Sequence, residues 1–294
     1  MLHMELLSHF LTATVYTLRA HPAPDAMIPF IVKHASSTPY LMHEILALAA
    51  SHLSQLCPAR RQFYQHVAAD LQTKALSLFN TDVLVINNDN CVPKFIFSSF
   101  LGTHVLFNAI STSDRDVDFL DKYIQYIHIH RGVRAIASKS WEMLNKTELK
   151  PILLAAELSL QLRHDEIQDF DSLRTLFESS ELSSSCIKEC QDAIRDLRAL
   201  FCAERSLREQ GGTDVVFAWP LVISNEFTKL LQKRTPEALI ILAHYAVLLL
   251  ARRRIWIVGD AGRTLIETIT LQLGSYWREL LVWPNEMLAM EAEI

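Results

Sequence analysis

Glycine is in short supply in this chain of 294 residues, where it occurs only 7 times, about a third of its usual share of roughly 7%. Runs of β-branched residues are few as well, while Leu and Ala abound, a balance that favours helices over sheets. Cysteine is limited to Cys57, Cys91, Cys186, Cys190 and Cys202, with no C-x-x-C spacing. Neither a disulfide framework nor a zinc knuckle is therefore expected. Cys186 and Cys190, one helical turn apart, read as half-buried thiols on an amphipathic helix. Positive charge is also thin. The formal net charge is −5, and basic clusters are confined to Arg60-Arg61 and Arg252-Arg253-Arg254, each inside a helical pattern. A duplex-binding surface needs a basic stripe, so direct nucleic-acid binding is not expected. The opening MLHMELLSHFLTATVYTLRAH has neither a positive n-region nor a continuous apolar core, so no signal peptide is expected. The longest apolar run, Ala238 to Ala251, is too short to span a bilayer and contains His244 and Tyr245. A soluble intracellular protein of cytoplasm or nucleus follows, with no membrane span. The signatures G-x-S-x-G, H-E-x-x-H, G-x-G-x-x-G and the P-loop are missing too, and no cofactor is expected.

What is present is helix-forming, hydrophobic sequence. Half of the residues are hydrophobic and 21% are charged, which predicts a heavily buried fold rather than disorder. Apolar residues recur at three- and four-residue spacing almost throughout. The spacing predicts a helix from Met4 to Leu18, stopping before His21-Pro22-Ala23-Pro24, and another from Thr38-Pro39 through Leu53. Others run from Pro58 to about Leu78, from Pro93 to about Ile110 and from Asp116 to about Ala137. Further helices are predicted over 150–163, 165–178, 185–209, 221–233, 236–257, 261–273 and 275–281, with Gly211-Gly212 as the clearest break. The expected fold class is all-α: a single irregular multi-helix domain over 1–294. Its centre is a buried helix at about 236–257, and a looser surface segment lies at 164–185.

Four stretches carry a resemblance. Pro39-Tyr40-Leu41-Met42-His43 runs on to Leu46-Ala47-Leu48-Ala49-Ala50-Ser51-His52-Leu53, and Tyr64 is followed by Lys74-Ala75-Leu76-Ser77-Leu78. Asn90-Cys91 precedes Phe97-Ser98-Ser99, with Arg131-Gly132-Val133-Arg134 beyond; Arg234 to Gly259 then leads to Trp283-Pro284. In this order and spacing they resemble the C-terminal regulatory domain of fungal zinc binuclear-cluster transcription factors, the sterol-uptake-regulator type especially. The likeness covers most of the chain. It implies an all-helical domain that holds a hydrophobic small molecule, a sterol in the best-known members; it does not imply a catalytic site. Two departures matter. The cysteine-rich zinc cluster of the DNA-binding unit is missing, and Asp260 stands where the family usually has a tryptophan after Gly259. The chain reads either as a trimmed piece of such a factor or as a stand-alone relative.

Candidate site residues follow the helical faces. In the helix from Pro93, Phe97, Phe100, His104 and Phe107 share one side, because their offsets match a 3.6-residue period. They read as a pocket-lining stripe or as ordinary core. His244 and Tyr245 lie mid-way along the helix opened by Thr235-Pro236-Glu237 and read as core or as hydrogen-bonding contacts to a ligand. Asp260 reads as the cap of the next helix, or as a pocket carboxylate beside Arg263 or Arg254 that orients or deprotonates a substrate. Asp260, His244 and His104 are thus the acid–base candidates. Phe97, Phe100, Phe107, Tyr245, Trp256 and Arg263 are the candidate ligand contacts. No metal site is expected: His128 and His130 point to different faces of one helix, and Asn87-Asn88-Asp89-Asn90 lacks the paired aspartates that hold magnesium in terpene synthases. The expected function is binding of an apolar small molecule (sterol, terpenoid or polyketide-like) in a helical pocket, and a homodimer is compatible with it. The alternative is a cofactor-free pericyclase, such as a Diels–Alderase, or a cyclase of secondary metabolism acting on a natural-product intermediate. Such chemistry asks for little beyond a shaped apolar cavity and one or two hydrogen-bonding groups.

Overall fold

Prolines sit where a helix tolerates them. Pro39, Pro58 and Pro236 are the first residues of their helical segments, and Pro29, Pro93 and Pro284 are the third residues of theirs. The first four N–H groups of a helix have no intrahelical acceptor, so a missing donor there costs nothing. In the computed structural model the described residues are 1–18, 27–82, 85–111, 118–150, 153, 170, 173, 175–178, 180–209 and 216–292. They form helices and turns, with no strand among them, which is the all-α class expected. None of the described helices is long and apolar enough to cross a membrane. The contacts group into two compact units, Met1–Val105 with His130–Leu153, and Leu106–Ile129 with Leu154–Ile294.

The first unit holds α1 (Leu2–His9), α2 (Met27–Ser36), α3 (Pro39–Leu56), α4 (Arg61–Thr81), α5 (Cys91–Ser111) up to Val105, and α6 (Asp118–Leu144) from His130. The helix expected over Met4–Leu18 is interrupted: α1 passes into a π-helical turn at Phe10–Thr14 and then a short α turn at Val15–Thr17. Helix α2 lies in a stretch where the sequence reading places no helix, between the stop at His21-Pro22-Ala23-Pro24 and the start at Thr38-Pro39. Its buried Met27, Phe30, Ile31 and Ala35 nevertheless mark one helical face. Helix α3 is the centre of this unit. Leu41, Ile45, Ala47, Leu48, Ala49 and Ala50 are fully buried on it, and α1, α2 and α4 pack around it. Aromatic packing fills one end, where Phe79 and Phe97 stack with ring centres 4.5 Å apart and Tyr40 meets both edge-on. At Gly102 a Cβ would lie 2.0 Å from His130 Nδ1, so only glycine lets that imidazole lie against α5.

The second unit holds the remainder of α5 and α6, then α7 (Ser184–Glu209), α8 (Trp219–Val222), α9 (Asn225–Gln232), α10 (Pro236–Leu250), α11 (Ala261–Leu273) and α12 (Val282–Ala292). A 3₁₀ turn at Ser275–Leu281 joins the last two. Every residue of α10 from Glu237 to Leu250 is buried. The Ser224 hydroxyl caps α9 by accepting from the Phe227 N–H at 2.9 Å, whereas Thr235 holds the cap position of α10 without a side-chain bond. Helix α10 stops at Leu250 rather than at about 257. Residues 251–260 instead make successive tight turns, with Ile255 N–H to Arg252 O at 2.9 Å and Val258 N–H to Ile255 O at 2.8 Å. This bend buries Ile255, Ile257 and Val258 while Ala251, Arg254 and Asp260 stay exposed. A continued helix would have carried three arginines onward from a wholly buried rod. Helix α12 was also unexpected, because Trp283-Pro284 reads as an end; Pro284 falls in the first turn instead. The helices predicted over 150–163 and 165–178, the looser segment 164–185 in its first half and the Gly211-Gly212 break lie largely outside the described residues.

One contact fixes α11 against α10. A Cβ placed on Gly262 would lie 2.3 Å from the Leu250 nitrogen and 2.6 Å from the Ala246 carbonyl oxygen, and backbone atoms cannot swing aside. Gly262→Ala is expected to destabilise the protein by about 3 kcal/mol through overpacking. At roughly 2–4 °C per kcal/mol for a chain of this size, thermal unfolding followed by circular dichroism would drop by several degrees. An unchanged melting temperature would mean that α11 does not sit this close.

Candidate functional site

In the first unit, polar side chains enter the core along one side of α3. Glu44 and Ser51 are seven residues apart, two helical turns, and therefore share a face. His104 reaches between them from α5, with Nδ1 3.0 Å from Glu44 Oε1 and Nε2 2.9 Å from Ser51 Oγ. A carboxylate only accepts, so Nδ1–H donates to Glu44 and the Ser51 hydroxyl donates to Nε2. The order serine, histidine, carboxylate is that of a hydrolytic triad, but the surroundings are not. Ser51, His104 and Glu44 are 2%, 1% and 0% exposed, and Ser51 lies mid-helix, where its backbone N–H belongs to the helix ladder and offers no oxyanion hole. This is a hydrogen-bonded strut between α3 and α5. Phe97 and Phe100, expected beside His104 in a pocket, instead pack on Phe79 and Tyr40 and on Phe10.

A second polar cluster lies beside the first. The His52 Nδ1 on α3 is 3.2 Å from His9 Nε2 and 3.2 Å from Thr14 Oγ1. His52 and Thr14 are buried, and His9 is half-buried.

In the second unit, Tyr245 and His244 leave α10 about 100° apart and meet different neighbours. The Tyr245 hydroxyl donates to the Val216 carbonyl at 3.0 Å, its ring stacks on Trp219 at 4.6 Å, and Trp219 Nε1 donates to the Ala193 carbonyl at 3.2 Å. Tyr123 lies beside it, hydroxyl to hydroxyl at 3.5 Å. His244 is 0% exposed. Its Nδ1 is 2.9 Å from the Ile240 carbonyl, which can only accept, so Nδ1 carries the proton and Nε2 the lone pair. Nε2 has no hydrogen-bond partner among the described residues. Around the imidazole stand Trp283 at 5.4 Å and Phe170 at 5.9 Å, with Phe201 against both of those rings. Phe201 and Trp283 are half-buried, so this aromatic nest faces solvent on their side. Burial pushes the His244 pKa down from 6.5 to about 4, against the pull of the Ile240 carbonyl bond.

The other candidates of this unit are spread out. Phe107 packs edge-on against Trp256 at 4.8 Å. Asp260 is exposed at the start of α11; its carbonyl accepts from the Thr264 N–H at 2.9 Å, but its carboxylate makes no cap bond. The capping interaction expected of that side chain is therefore not formed. Arg263 pairs with Glu267 at 3.6 Å and with Glu291 of α12 at 3.4 Å, not with Asp260. A surface groove of about 580 Å³ is lined by residues that include Thr270, Arg278, Leu281, Val282, Asn285 and Ala289. Sequence reasoning named none of its residues. It also missed Glu44 and Ser51, although two polar residues seven apart share a face of a largely apolar helix, which is a readable signal. Phe201 and Phe170 gave none, since their partners lie far along the chain.

Two consequences are measurable. Between about pH 6.5 and pH 4 the unfolded chain takes a proton at His244 that the folded chain refuses, so stability falls as pH is lowered through that window, by up to about 3 kcal/mol. Urea unfolding of wild type and His244→Phe at pH 7 and pH 5 should show a smaller acid loss in the variant; equal losses would remove His244 as the cause. His104→Leu strands the buried Glu44 carboxylate and should cost about 3 kcal/mol or more. The double variant with Glu44→Leu should unfold less easily than the two single effects summed.

No family model matches the chain. Along 99% of its length it is similar, at 21% identity over 308 residues, to a protein of Gibberella zeae described as a Zn(2)-C6 fungal-type transcription factor. The chain spans about 62% of the length of that relative. The similarity supports kinship with fungal transcription-factor proteins and runs through both units.

Proposed function

We propose that this chain is a ligand-responsive regulatory module of the kind found in sterol-uptake regulators, acting in the nucleus on an apolar small molecule that carries a hydroxyl group. The His244 Nε2 lone pair carries this reading: it is buried, uncharged at neutral pH and without a donor among the described residues. Leaving such an acceptor dry costs about 1–3 kcal/mol, which a ligand hydroxyl in its place would recover. Phe170, Phe201 and Trp283 supply flat apolar walls suited to the fused rings of a sterol, terpenoid or polyketide. Entry is from the half-buried side formed by Phe201 and Trp283. The imidazole is held by its own helix through Ile240, so it accepts a hydrogen bond without reorienting. Asp260, an exposed residue, has no part in the reading.

The test is binding of matched pairs, a sterol or terpenoid alcohol and its methyl ether, followed by thermal shift and native mass spectrometry with analysis of the recovered compound. The alcohol is expected to bind at least about fivefold more tightly, the worth of one hydrogen bond near 1 kcal/mol. His244→Phe should erase that preference while keeping apolar binding. Equal binding of alcohol and ether by wild type would discard His244 as the anchor, and silence across the whole panel would discard the ligand reading. A recovered compound of altered structure would instead make the chain a cofactor-free cyclase or pericyclase.

A further inference from the structure

We propose that His9 Nε2 and His52 Nδ1, with the Thr14 hydroxyl beside them, form a binding site for one divalent transition-metal ion of the zinc type. The two nitrogens lie 3.2 Å apart and the two ring centres 5.1 Å apart. Two imidazoles bound to one tetrahedral ion at about 2.0–2.1 Å place their ligand nitrogens roughly 3.3 Å apart and their ring centres about 5 Å apart. The observed pair thus has chelating dimensions with little movement required.

The backbone is bent to make this arrangement. In an α-helix His9 and Thr14, five residues apart, would point about 140° away from one another. The π turn at Phe10–Thr14 closes bonds between residues five apart and brings such a pair back to nearly one side. Both side chains consequently converge on His52. Hydrogen bonding alone is a poor account of that convergence. A ring nitrogen offers one in-plane hydrogen-bonding direction, yet two polar groups, His9 Nε2 and Thr14 Oγ1, both stand at 3.2 Å from His52 Nδ1. A metal ion would take both nitrogen lone pairs and leave the hydroxyl as a third, weaker ligand. Glu5, one turn before His9, adds negative charge nearby, with its Oε1 accepting from the Tyr64 hydroxyl at 2.8 Å. Among the described residues no cluster of three or more His, Cys, Asp or Glu side chains is assembled to hold a metal, so the site is open and of moderate affinity, with remaining positions filled by water from the half-buried His9 side.

The experiment titrates Zn²⁺ into the full chain by calorimetry, with Mg²⁺ as the control that imidazoles reject. One zinc per chain is expected, with His9→Gln weakening binding by more than about tenfold, the loss that even an outer partner of a metal ligand can bring. His66→Gln serves as the decoy, because His66 Nε2 and Asp70 Oδ2 lie 3.5 Å apart on an exposed face. It should leave binding unchanged. Because His52 is buried, its part is read without mutation, as a zinc-induced change in its imidazole ¹⁵N signals together with those of His9. No zinc uptake, uptake indifferent to His9→Gln, or uptake lost only in His66→Gln would each overturn the proposal. The site lies in the first unit and stands whether or not the His244 reading holds.

Discussion

A helix with no solvent-facing side must be covered all round, and α10 imposes that condition on the second unit. From Glu237 to Leu250 every residue on it is buried. Burial of this many aliphatic side chains, at about 25 cal/mol per Å² of apolar surface, is the main favourable term available to the unit. Helices α7, α9, α11 and α12 are drawn in as its cover, and Gly262 lets one of them approach to backbone contact. The three polar side chains on α10 then have to be satisfied in place, and Glu237 accepts from the Ser180 hydroxyl at 2.5 Å. Tyr245 finds the Val216 carbonyl, and His244 half-satisfies itself on its own helix.

The first unit solves the same problem differently. Its central helix α3 buries four polar side chains, Glu44, Ser51, His52 and Ser54, among its apolar ones. Such groups are tolerated only when bonded. His104 supplies two bonds at once, and the Ser54 hydroxyl donates to the Ser51 carbonyl at 2.7 Å. Buried polar pairs of this kind favour one register of α3 on α5 over others, since a shift by one turn would leave every partner unmatched.

Most of the helices were legible in the sequence, because a 3.6-residue apolar period and initial prolines are local signals. α3, α4, α5 and α7 fall within a few residues of where the spacing puts them. The failures are local conflicts too. The spacing predicts no helix over 27–36 or 282–292, although the third-position prolines Pro29 and Pro284 are harmless there, and the helix predicted over 236–257 ends instead where the chain turns at three arginines. The site was much less legible. Aromatic spacing placed Phe97, Phe100 and His104 on one face, but could not show that other rings already occupy it. His244 stood out by type, whereas its neighbours Phe170 and Trp283 come from distant segments that no periodicity connects. Asp260 draws notice as a departure from a family pattern and is an exposed residue at the N-cap position of α11.

The π turn at Phe10–Thr14 holds about one residue more than the α turn it replaces. Residues before it are therefore out of phase with residues after it by roughly one position. A comparison of this chain with relatives that keep a continuous α-helix here has to carry a one-residue offset ahead of Phe10, or the buried positions of the first helix will be matched to exposed ones. The same offset makes the turn a natural place for single-residue insertion or deletion, since losing one residue would return the segment to a regular helix while rotating everything upstream of it by about 100°.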